Sequence, residues 1–153
     1  MKLLTAIFAV ALAISSSAAQ AQERRYRLVS ASNETSLFVD EHTISAVGNT
    51  RTFWVLAVLA RPEPMGDGRM ISHRKMQWRM QCGARTTQGL FQAIYTRDQT
   101  LIVSSDEPQS PHPIIPGSIA EHAFEYVCNG QIRGESPLIA EEDAIEVAQS
   151  PNR

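Results

Sequence analysis

The chain has 153 residues, with 14 lysines and arginines against 16 aspartates and glutamates and a formal net charge of −2. A charge so small and scattered excludes the basic footprint of a nucleic-acid binder. Without an export signal, roughly 130 residues remain, which suits one domain around one core.

Residues 1–21 have the three-part layout of a secretory signal. Lys2 gives a positive start, residues 3–14 are an apolar run, and Ala19-Gln20-Ala21 places cleavage between Ala21 and Gln22. The run is too short to span a bilayer, which takes roughly 20 apolar residues. No other stretch approaches that length, and no cysteine precedes Cys82 to carry a lipid. The expectation is an exported mature chain without a membrane span or lipid anchor. The periplasm is its first destination, with the cell surface or the exterior as alternatives.

Strand signals follow in close succession. "YRLVSA" (26–31) and "SLFVD" (36–40) flank the turn-rich "SNET" and read as a hairpin. "TRTFWVLAVLA" (50–60) is apolar on both faces and rich in β-formers. "RPEPMGDG" (61–68) reads as the exposed tip of a long hairpin. "KMQWRMQC" (75–82) alternates strictly: Met76, Trp78, Met80 and Cys82 face a core, and Lys75, Gln77, Arg79 and Gln81 face water. "GLFQAIYT" (89–96) and "TLIVSS" (100–105) complete six candidates. Short spacings without helical pattern between them predict an antiparallel meander.

The period then changes. Pro108, Pro111, Pro113 and Pro116 rule out regular structure from 104 to 117, and the segment reads as a stiff crossover in preference to a proline-rich ligand for a partner. "SIAEHAFEYVCNG" (118–130) follows as a helix. Ser118 and Glu121 form a capping box, Ala120, Ala123, Phe124 and Val127 share one face, and Asn129-Gly130 is a stop. The helix ends on Cys128. Two cysteines in an exported chain are expected to pair, since that compartment is oxidising. A Cys82–Cys128 bond would pin the helix to the alternating strand, with the apolar row as its floor.

Residues 131–153 form an acidic tail in which Ile139, Ala144, Ile145 and Ala148 could make one helical stripe. The doubly apolar third strand needs a second cover: a sheet folded back, the tail helix, or another copy of the chain. A homodimer is the favoured expectation, because large apolar patches mark partner surfaces.

Chemistry is scarce. His42, His73, His112 and His122 lack metal-site spacing and read as surface residues. No serine sits in GxSxG. Asp106-Glu107 and Glu141-Glu142-Asp143 read as solvated, and Phe53-Trp54 as core. No catalytic residue, metal or cofactor is expected.

Tyr26-Arg27-Leu28-Val29, Phe38-Val39-Asp40, Ile44, Arg51 and Phe53-Trp54-Val55 occur in an ordered series. It continues through Trp78, Gln81-Cys82, Tyr95, residues 105–108, residues 115–118 and Val127-Cys128. In order and spacing the series resembles the surface-adhesin protein E-like family of Gram-negative bacteria, over about residues 25 to 128. The resemblance implies an α+β fold: a curved antiparallel sheet of about six strands, with a C-terminal helix held on its concave face by one disulfide. It also implies dimers and adhesion to extracellular-matrix and serum proteins. This chain differs in lacking a lipoprotein cysteine and in having His112 where relatives often carry tryptophan.

The expected organisation is a signal peptide (1–21), an adhesin-E-like domain (22–130) and an acidic tail (131–153). The expected function is an exported, non-enzymatic binding module for a protein partner. The alternatives are an enzyme with a polar site near Arg79 and Arg85, and a self-associating envelope protein. Which residues bind a ligand is not legible.

Overall fold

A computed structural model describes residues 23, 25–132 and 136–150. The signal segment and the Ala21/Gln22 cleavage point lie outside the described residues.

Six strands form an open sheet in chain order: β1 (Tyr26–Ala31), β2 (Thr35–Val47), β3 (Thr50–Pro64), β4 (Met70–Gln81), β5 (Thr86–Tyr95) and β6 (Leu101–Ser105). Each is antiparallel to the next. Two strands run longer than their apolar stretches predict. β2 continues past Asp40 through a register shift, and the two-residue turn Gly48-Asn49 returns the chain. That turn needs a positive φ at its first position, which Gly48 supplies at 55°. β3 reaches Pro64, so the exposed tip shrinks to residues 65–69. Within the proline segment, His112–Pro113 make a short β7 against Thr86 and Thr87 of β5. The crossover is therefore not wholly irregular. Prolines are tolerated there because the pairing lies at the sheet's edge.

Helix α1 (Ile119–Asn129) lies on one face. Val29, Leu37, Val39, Phe53, Val55, Ala57 and Met80 form a core with its Ala123 and Phe124, and Met76, Trp78, Cys82 and Cys128 pack around it. Period 2 in the strands meets period 3.6 in the helix, so both bury one apolar stripe. Each full burial of a large side chain contributes about 1.5–3 kcal/mol. The Ser118 Oγ accepts from Glu121 N at 3.3 Å, while the Glu121 carboxylate accepts from Gly117 N at 2.8 Å, one residue before the cap. Gly130 closes the helix at φ 68°, and its N–H donates to Tyr126 O. Cys82 and Cys128 are bonded, with Cα atoms 5.6 Å apart.

Helix α2 (Glu141–Gln149) covers the opposite face. Ala144, Ile145 and Ala148 pack on Tyr26, Phe38, Leu56 and Val58, with Leu28 and Ile139 at the margin. The doubly apolar third strand thus finds its second cover in its own tail, the alternative to the second copy favoured from sequence. The polar row of β4 is correspondingly not all in water: Arg79 and Gln81 are exposed, whereas Lys75 and Gln77 are half-buried.

Candidate functional site

A set of polar groups docks the two helices on the sheet. On the α1 side, Glu41 of β2 accepts from Arg27 of β1 and from Tyr126 of α1. Arg27 also donates to the Tyr126 hydroxyl at 3.1 Å and to the Ser136 carbonyl. Burial by itself would raise the Glu41 carboxyl, but these two donors outweigh it and hold the carboxyl below its ordinary range. Burial, with the adjacent Glu41 charge, pushes the Tyr126 phenol up to about 12. His122 is half-buried and bonds Ser30 Oγ at 2.8 Å. It is a docking residue, where the helical pattern had placed it toward solvent. Arg85 pairs with Glu121 and Glu125 and lies 4.4 Å from the Phe124 ring centre. Arg79 instead reaches Gln88. The two arginines serve different elements and do not build one polar site.

On the α2 side, Glu141 pairs with Lys75 at 2.7 Å and accepts from the Tyr26 hydroxyl at 3.1 Å. This first carboxylate of the acidic run is half-buried, not solvated as the sequence suggested. Gln149, at the other end of α2, donates to Leu59 O and Ser72 Oγ. Under the helix His73 is fully buried, against the expectation of a surface histidine, and stacks on Tyr95 at 5.2 Å. Burial lowers its pKa to about 4, so the ring is neutral at pH 7. His73 Nδ1 lies 3.4 Å from Ser72 Oγ, but both residues are fully buried and no substrate can reach the pair. His42 is exposed and pairs with Glu23, and His112 is exposed beside Ser110. Among the described residues no group of three or more histidine, cysteine, aspartate or glutamate side chains could hold a metal, and no helix is long and apolar enough to cross a membrane.

What differs between the two sheet edges is closure. The β1 edge is covered by the chain itself: Arg25 N and Tyr26 N donate to Ile139 O, Ile139 N donates to Tyr26 O, and Ser136 Oγ accepts from Leu28 N. At the other edge, among the described residues, β6 has a strand partner only on its β5 side. Leu101 and Val103 are exposed there, at 49% and 44%. Next to β6 the proline segment leaves β5 after Ser105 and rejoins it where Gln109 N donates to Gly89 O. The gap is a slot of about 100 Å³ with Met76 and Trp78 as its floor and Gln92, Ser105, Glu107 and Gln109 around it. A larger open cleft of about 850 Å³ lies between the β1–β2 turn, the end of β3 and the end of α2. The slot escaped the sequence reading because Trp78 reads as core from its alternation. Its only sequence signal is an uncharged last strand followed directly by Asp106-Glu107.

A search of curated protein sequences returns no match. Among solved structures, the fold is similar to that of Haemophilus influenzae protein E: TM-score 0.52 at 12% identity, covering 71% of this chain and 86% of that one. A second crystal form of the same protein gives a TM-score of 0.51 at 14% identity, covering 71% and 90%. The model of the family described as surface-adhesin protein E matches residues 26–129, from the first residue of β1 to the last of α1. By that match, over most of its length and all of its sheet, the chain belongs to the surface-adhesin protein E family.

Proposed function

We propose that the chain is an exported, non-enzymatic, adhesin-like module that binds a protein partner through the surface its own segments leave open. Residues 1–21 would be removed on export, leaving the domain of residues 22–130 and a tail that docks back on it. The observation that carries this reading is the asymmetry of closure. Both faces of β3 and the β1 edge are covered from within the chain, whereas among the described residues no strand pairs with the outer edge of β6. Family membership supports binding as the activity. The buried ionisable groups support it too, since they are engaged in helix docking or closed off from solvent. The location that goes with this reading is the periplasm, with the cell surface or the exterior as alternatives; in the periplasmic case proteinase treatment of intact cells should leave the protein whole.

The test uses disulfide-intact mature protein, immobilised and exposed to purified matrix and serum proteins and to cross-linked envelope extract. Saturable binding of at least one protein, competed by free mature chain, is expected. Absence of such binding in every arm refutes the reading. A dimer through the second face of β3 would need α2 displaced; sedimentation velocity of full-length and α2-deleted chains separates the two states.

A further inference from the structure

We propose that β6 and the adjoining slot accept an extended, basic segment of a partner protein, added to the sheet as a further strand. This inference rests on the binding reading above and specifies its ligand.

Three observations meet at one place. First, β6 reads "LIVSS" and carries neither charge nor proline, the devices by which natural edges discourage pairing. Arg69 reaches the β6 backbone, its Nη1 donating to Ile102 O at 3.3 Å. An extended backbone added here gains main-chain hydrogen bonds and places alternate side chains over Leu101 and Val103. Second, the slot at the end of β6 has an aromatic and a thioether floor, Trp78 and Met76, with Glu107 at its rim. Its volume of about 100 Å³ suits one side-chain stem and head, not a free organic ligand. Gly89 keeps it narrow, because a Cβ there would stand 3.0 Å from Gln109 Oε1. Third, Asp106 and Glu107 are exposed, and among the described residues neither carboxylate has a cationic partner. A lysine or arginine meets all three demands: its methylenes lie on Trp78 and Met76, its charge faces the ring, and its head reaches Glu107. An acidic segment would meet two carboxylates and be repelled.

The probe is a short fluorescein-labelled peptide alternating lysine with valine and threonine, read by anisotropy, with a glutamate-for-lysine version as control. The basic peptide should bind saturably, lose affinity as salt rises, and slow amide exchange at residues 101–105. Glu107→Lys, on an exposed loop, should weaken it at least tenfold, on the order expected for an ion pair replaced by repulsion. Val103→Pro, with an unchanged melting temperature, should abolish it. Equal binding of both peptides, an unaffected Glu107→Lys variant, or unchanged exchange of the β6 amides that face away from β5 when peptide is added would each overturn the inference. If matrix, serum or envelope proteins bind while the basic peptide does not, this inference falls and the broader function stands.

Discussion

The Cys82–Cys128 bond closes a stretch with a sequence separation of 46. In the chain-entropy treatment a loop of that size restricts the unfolded chain by roughly 4 kcal/mol. The perturbation is reduction of the otherwise unchanged protein, which keeps both sulfurs in the α1 core and removes only the link. Urea unfolding of oxidised and reduced material, followed by tryptophan fluorescence from Trp54 and Trp78, should show a loss of about 3–4 kcal/mol. For a domain of this size that is a fall in melting temperature of about 10–20 °C. The loss should be concentrated at α1, whose amides would exchange faster than those of β3 and β4. A difference under about 1 kcal/mol would refute the reasoning. It would mean that the link restricts the unfolded chain far less than the chain-entropy treatment requires.

Three further outcomes follow from the docking contacts. His73 has a folded pKa of about 4 against about 6.5 when unfolded, so the unfolded state takes up the proton first as pH falls. Stability owed to its neutral burial is full above about pH 6.5 and is lost progressively down to about pH 4. Relative to His73→Phe, the wild type should lose about 2–3 kcal/mol between pH 7 and pH 4.5 in urea melts, and parallel pH profiles would count against the burial argument. Tyr126→Phe removes a hydroxyl that donates to Glu41 and accepts from Arg27, and should cost about 1–3 kcal/mol by the same assay. Gly130→Ala forces a side chain into φ 68° at the end of α1 and should cost about 1 kcal/mol, visible as a lower thermal midpoint.

How far the chain could be read in advance depends on whether each signal was local. The Met76, Trp78, Met80 row and the run from Ser118 to Gly130 are patterns within a dozen residues, so strand, helix and helix limits were legible. The pairing of two cysteines needed only the compartment. His73 was misread because its burial is made by Tyr95 and by a helix more than 60 residues away. Glu141 was misread for the same reason, since Lys75 and Tyr26 reach it from β4 and β1. The slot is less legible still: it exists where the chain after Ser105 leaves β5, and no single segment encodes a gap.

By itself the sequence determined the strands, their meander order and the helix that follows them, because periodicity, caps and short turns act over neighbouring residues. It also determined that sulfur would join β4 to α1. Only the tertiary structure decided that α2 takes the second face of β3 and that residues 136–139 close the β1 edge while β6 stays open. A nine-residue helix with one apolar stripe can satisfy any apolar face of matching size; which face it takes is a competition between distant surfaces, settled when the chain packs.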